Sequence, residues 1–161
     1  MSNITKQQQQ LSQLLAAELK ESYQLLGILT EEHQALSSSD PDLITAISTK
    51  KLDAMKRMEQ HHTMRTQFLA SIGLSSSSEE MEAFIKHLPK ESLIVTQWQE
   101  LQDLARKLHH QNEINGGIIA LTQRHITLAL DILSGKAHTT STYGRSGQTN
   151  SEATPQHLAK V

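Results

Sequence analysis

A heptad pattern near the C-terminal end of the sequence constrains the fold more than any other feature. An unbroken heptad repeat is typical of a long α-helix that packs along other helices. Such a helix would be about 60 Å long, because each residue adds about 1.5 Å. The sequence therefore predicts an elongated helical bundle. The apolar and small residues of the pattern recur at alternating spacings of four and three: Ile94, Trp98, Leu101, Ala105, Leu108, Asn112, Asn115, Ile119, Thr122, Ile126, Ala129 and Leu133.

Two asparagines and two glycines are unusual within this pattern. Asn112 and Asn115 place amides at heptad positions, and Gly116 and Gly117 follow them. Buried asparagines commonly fix the register between packed helices, and we interpret both asparagines in this way. Each glycine costs the helix roughly 1 kcal/mol relative to alanine. We expect the glycines to let a partner approach closely or to let the end of the bundle move.

The upstream sequence predicts three more helices. The first covers residues 7–36, and the second begins at Asp40 and Pro41, with the aspartate as N-cap. A short helix covers residues 79–88, and Pro89 begins the long last helix. The fold class is all-α: an elongated antiparallel helical bundle of three long helices and one short helix, with a flexible C-terminal tail.

Basic residues dominate the middle of the second helix. Long basic side chains can cover apolar surface while their charged groups stay in water. We expect this behaviour of Lys50, Lys51, Lys56, Arg57 and Arg65.

The composition changes after Gly135, where a helix C-cap is expected. Residues 136–161 are rich in Ser, Thr and Gly and cannot bury enough apolar area to fold alone. We therefore expect two regions, a helical bundle at residues 1–135 and a mobile tail at residues 136–161.

The composition argues against several functional classes. Aromatic residues make up 3% of the 161 residues, which disfavours a small-molecule or cofactor site. The net charge of −2 disfavours nucleic-acid binding. The chain has no cysteine, no export signal and no apolar run long enough to span a bilayer, so we expect a cytoplasmic protein.

Neither metal binding nor catalysis has a strong motif. The spacing of Glu59 and His62 occurs in di-iron bundles, but those sites need a second copy of the motif and two further glutamates. The nine histidines are better explained as solvated or half-buried side chains, and a metal-binding bundle is a remote alternative. The sequence has no glycine-rich loop after a strand and no nucleophile elbow, and it shows no strand pattern that could hold either one. We expect no metal site and no enzymatic activity.

A second apolar line runs beside the heptad positions in the last half of the long helix. One interpretation is that the first two helices each cover one line. The other is that the second line binds a partner helix. The residue pattern leaves both open. The line comprises Ile114, Ile118, Leu121, His125, Leu128 and Ile132.

Two short motifs and the helix between them are characteristic: Asn112-x-x-Asn115-Gly116-x-Ile118-Ile119, a helix that continues to Leu133, and Thr142-Tyr143-Gly144-x-x-Gly147. Together they give residues 94–147 a resemblance to the FlgN-type flagellar export chaperones. It implies a cytoplasmic chaperone for flagellar type III export. Such chaperones bind the helical terminal segments of hook–filament junction proteins through the C-terminal helical region. Here that region would use Ile114, Ile118, Leu121, Leu128 and Ile132.

The same resemblance implies partners beyond the client. Tyr143, with Gly144, would dock on the membrane export gate, and components of the export ATPase complex are a further expected partner. Arg145 and Ser146 stand between the two glycines of the motif, which departs from the family pattern. The alternative function is a structural coiled-coil adaptor that self-associates and has no secreted client.

Overall fold

The computed structural model describes residues 3–75 and 77–135, which form four helices. These are α1 (Asn3–Ser38), α2 (Pro41–Ser71), α3 (Ser78–Lys86) and α4 (Leu93–Leu133). The predicted all-α class, with three long helices and one short helix, is confirmed. The predicted tail at residues 136–161 lies outside the described residues.

The backbone divides into two compact units. The first unit is Met1–Thr122 and contains α1, α2, α3 and most of α4. The second unit is Gln123–Val161, and its described part is the end of α4 and the turn after it. The division into a bundle at 1–135 and a tail at 136–161 stays a prediction.

The turn between α1 and α2 has the predicted local chemistry. Ser39 adopts a left-handed conformation with a φ of 55°, which ends α1. The Asp40 carboxylate then accepts hydrogen bonds from the backbone N–H groups of Asp42 and Leu43, at 3.1 and 3.3 Å. With Pro41 as the first residue of α2, this is the expected N-cap.

The start of α4 departs from its sequence signal, whereas its end follows the signal. We expected α4 to begin at Pro89, but it begins at Leu93. The Ser92 N–H donates to the Pro89 carbonyl at 2.9 Å, so the proline starts a tight turn that precedes the helix. At the other end, Gly135 has a φ of 69°, as predicted for a C-terminal cap.

Hydrogen bonds establish the direction of the helices in the first unit. Arg65 of α2 bonds to Glu18 of α1, and Lys51 bonds to Glu32, so α1 and α2 are antiparallel. Gln97 of α4 bonds to Ser12, and Asn115 bonds to the Leu29 carbonyl, so α4 is parallel to α1. Helix α4 is therefore antiparallel to α2, and α3 lies in the connection that returns the chain.

The core of the first unit lies where α1, α2 and α4 face one another. Met81 of the short helix α3 is also buried in it. The buried apolar cluster comprises Leu11, Leu15, Leu19, Leu25, Leu29, Ala54, Phe68, Leu69, Met81, Ile94, Trp98, Leu101, Leu104 and Leu108.

Candidate functional site

Burial along α4 follows a seven-residue repeat in its first half. Ile94, Leu101, Leu108 and Asn115 are all buried, as the heptad pattern predicts. The prediction is wrong at Ala105 and Asn112, whose side chains are exposed. Leu104 is buried in place of Ala105, and Gln97 is buried together with Trp98. At Ala105 the buried position is therefore shifted by one residue, to the larger leucine side chain.

Asn115 is the last buried residue in the described part of α4. Its Nδ2 donates to the Leu29 carbonyl at 2.9 Å and to Glu32 Oε1 at 2.8 Å. Its Oδ1 accepts from Gln111 Nε2 at 3.0 Å. Glu32 also accepts from Lys51 Nζ at 2.9 Å. A polar network thus connects α1, α2 and α4 at this level, and an apolar residue in place of Asn115 would leave Glu32 without this donor.

Gly116 and Gly117 follow the network directly. Both are exposed, and a Cβ atom built on either would meet no described atom within 4 Å. Packing within the described chain therefore does not require glycine at either position. Close approach by another molecule stays an open explanation for these two residues.

In the first unit, three of the predicted client-binding residues lie after or beside Asn115. Ile114 is 39% exposed and Leu121 is 51% exposed, whereas Ile118 is half-buried. The partly buried Ile118 supports the fold as well as offering surface. The other two are large apolar side chains in contact with solvent.

In the second unit, the predicted residues Leu128 and Ile132 are 41% and 71% exposed. Ile126, Leu130 and Leu133 are exposed as well. The continuation of the heptad positions into this segment therefore does not bury them. Apolar side chains are exposed around the helix here, and the predicted line is one part of that surface.

This part of α4 also carries few charges. Between Ile114 and Leu133 the formally charged residues are Arg124 and Asp131, apart from His125. Contacts made by such a surface would depend mainly on apolar area and little on ionic strength.

The sequence did not predict a buried ion pair that links α1 and α2. Arg65 and Glu18 are both buried, and Arg65 Nε donates to Glu18 Oε2 at 2.6 Å. The Arg65 guanidinium also lies 5.3 Å from the centre of the Trp98 ring, within the range of a cation–π contact. The expectation that the charged group of Arg65 stays in water is therefore wrong. Glu18, between Leu15 and Leu19, could have been placed on the apolar face, but no local pattern identifies its partner.

The spacing of Glu59 and His62, which was not favoured as a metal site, lies within the described residues. His62 has its Nδ1 3.1 Å from Arg65 Nη2. In the ranges 3–75 and 77–135, no three acidic or histidine side chains lie close enough together to hold a metal ion.

None of the four helices combines the length and the apolarity that crossing a lipid bilayer requires, within the part of the chain described. Tyr143 and Gly144 lie outside the described residues.

A protein-family model matches this chain. The family model described as FlgN protein matches residues 1–151, which is nearly the whole chain. No curated protein and no solved structure matches the chain. The family match covers the helical region and agrees with the resemblance found in the sequence. The chain belongs to the FlgN family, whose members are flagellar export chaperones.

Proposed function

We propose that this export chaperone binds the helical terminal segments of flagellar hook–filament junction proteins in the cytoplasm. The client would bind to a docking face formed by Ile114, Ile118, Leu121, Leu128 and Ile132. The chaperone would then deliver its client to the membrane export gate of the flagellar type III apparatus, with export ATPase components as a further partner. It would perform no chemical reaction and use no cofactor.

The observation that carries this proposal is the exposure of large apolar side chains along α4 after Asn115. Exposed apolar surface of this kind commonly marks a binding site for another protein. Residues spaced by fours and threes fit the apolar face of an amphipathic helix, which is the kind of segment proposed as the client. Four of the five proposed residues, all except Ile118, are exposed.

Two aspartate substitutions test the docking face. We expect Ile118→Asp with Leu128→Asp to weaken capture of purified junction-protein C-terminal segments by at least about 30-fold, because residues central to such interfaces each contribute about 2 kcal/mol or more. Affinity is measured by titration calorimetry, and retained helicity is checked by circular dichroism.

The matched control places the same charges on the other side of the helix. Gln123 and Thr127 are exposed and, at 100° per residue, lie roughly opposite the docking face. Gln123→Asp with Thr127→Asp should leave client affinity within about twofold of the unsubstituted chain, since single surface changes are usually worth about 0.5 kcal/mol or less. Normal capture by the Ile118 and Leu128 double variant would eliminate this surface as the site.

Delivery to the export gate has its own test. We expect a chain that ends at residue 135, and a full-length Tyr143→Ala variant, to bind the client normally but to reduce secretion of junction proteins from flagellated cells. A Tyr143→Phe variant separates loss of the aromatic ring from loss of the hydroxyl. Unchanged secretion by the shortened chain would refute the role proposed for residues 136–161.

The alternative function is self-association without a client. The exposure of Ile126, Leu130 and Leu133, in addition to the docking face, gives this alternative its support. Light scattering at micromolar concentration distinguishes the two functions. A stable homo-oligomer that fails to capture junction-protein segments favours the adaptor, and a monomer that captures them favours the chaperone.

A further inference from the structure

Two buried amide side chains of α4 bond to the backbone of α1. Gln97 Nε2 donates to the Ser12 carbonyl at 3.1 Å, and Asn115 Nδ2 donates to the Leu29 carbonyl at 2.9 Å. Gln97 and Asn115 are eighteen residues apart, which is five helical turns, so they lie on the same face of α4. The two acceptors on α1 are seventeen residues apart, which is nearly the same rise along a parallel helix.

Each amide also makes a second contact with α1. Ser12 Oγ donates to Gln97 Oε1 at 2.9 Å, and Asn115 Nδ2 donates to Glu32 Oε1 at 2.8 Å. Each amide therefore engages both a main-chain carbonyl and a side chain of α1. Neither pair of contacts survives an axial displacement of α4 by one turn, about 5.4 Å.

The apolar contacts between α1 and α4 define the axial register less strictly than these hydrogen bonds do. Apolar core residues recur every three or four residues along much of both helices, so a helix displaced by one turn still meets apolar neighbours. A displaced helix would instead bury the two amides without partners, which is unfavourable for buried polar groups. Tyr23 of α1 also bonds to Glu100 of α4, but that contact is exposed. Gln97 and Asn115 are buried, so leaving them unpaired weighs more strongly on the choice of alignment.

We propose that Gln97 and Asn115 together hold the axial register of α4 against α1, as positioning residues for the docking face. Ile114 and Ile118 lie on either side of Asn115 and are only partly exposed, so a displacement of α4 by one turn would change how much of each is left exposed for a client. The effect on the docking face rests on the proposed function, whereas the register of α4 against α1 does not.

Distances between spin labels test the register directly. The chain has no cysteine, so Gln9→Cys on α1 and Lys107→Cys on α4, both exposed positions, can be labelled selectively. We expect one narrow distance distribution in the otherwise unchanged chain and in each single variant, Gln97→Leu or Asn115→Leu. The double variant should show a further population displaced by about 5 Å or more, the rise of one helical turn.

The matched control is Gln99→Leu with Asn112→Leu, the same substitutions at exposed positions of α4. It should keep the single narrow distribution. If the Gln97 and Asn115 double variant does not fold, adding Glu32→Leu removes the buried carboxylate that has lost its Asn115 donor, and the same distances are measured in that triple variant.

Client capture by the same variants separates this inference from the proposed function. A displaced population with weakened capture of junction-protein segments supports both. A displaced population with normal capture supports the role of the two amides in register and counts against the docking face. A single, unshifted distribution in the folded double or triple variant overturns the proposal.

Discussion

The two halves of α4 have similar sequence patterns but different surroundings. Residues 93–115 place seven side chains in the interior of the first unit, including Trp98 and Asn115. Residues 116–133 continue the apolar spacing, yet none of these side chains is buried. The comparison shows that an apolar repeat defines a helix face suited to an interface but does not by itself bury that face.

The largest expected difference between the two halves concerns folding stability. Leu104→Ala removes a buried side chain and should lower the free energy of unfolding by about 2–5 kcal/mol. Leu130→Ala, the same change at an exposed position, should alter it by about 0.5 kcal/mol or less. Urea denaturation followed by circular dichroism gives both values. Equal losses at the two positions would mean that the second half of α4 is covered in solution.

A smaller change in the free energy of unfolding is expected at the two glycines where the halves of α4 meet. Gly116→Ala and Gly117→Ala should each raise the free energy of unfolding by up to about 1 kcal/mol, because alanine favours the helix and nothing described lies within 4 Å of the new methyl group. Gly27→Ala on α1 is the control, since Gly27 is also exposed, helical and without near neighbours. Weaker client capture by the Gly116 and Gly117 variants alone would indicate that the client approaches α4 closely there.

The smallest expected effect concerns a solvent-exposed contact between α1 and the first half of α4. Tyr23 of α1 donates its hydroxyl proton to Glu100 of α4. This hydrogen bond, with smaller contributions from desolvation and the carboxylate charge, raises the pKa of Tyr23 above its usual 10.0. Because the protonated phenol is the bonded form, the contact contributes to stability below pH 10 and is lost as the pH rises through the raised pKa.

A spectroscopic titration checks this contact. In a Tyr143→Phe background Tyr23 is the remaining tyrosine, so absorbance at alkaline pH reports its ionisation alone. Replacing Glu100 by Gln in that background should lower the pKa of Tyr23. An identical titration curve would show that α1 and α4 do not make this contact in solution.

Sequence reasoning succeeded where a local signal was sufficient. The Asp40 and Pro41 start of α2, the Gly135 cap and the buried Ile94, Leu101, Leu108 and Asn115 all follow from spacing and local backbone chemistry. It failed at Asn112 and Ala105, because adjacent positions on a helix differ by only 100° and the heptad rule does not say which neighbour turns inward. The proposed client-binding residues stay predictions, although most of them are exposed.

The amino-acid sequence by itself determined that this chaperone is helical, where most of its helices end and which faces of α4 are apolar. These properties depend on groups close together along the chain. The tertiary structure decided that Arg65 is buried against Glu18, that Gln97 and Asn115 bond to α1, and that burial along α4 stops at Asn115. Each of these depends on a partner far away in the sequence, because a polar side chain is stable in the interior only where the fold brings a matching group to it.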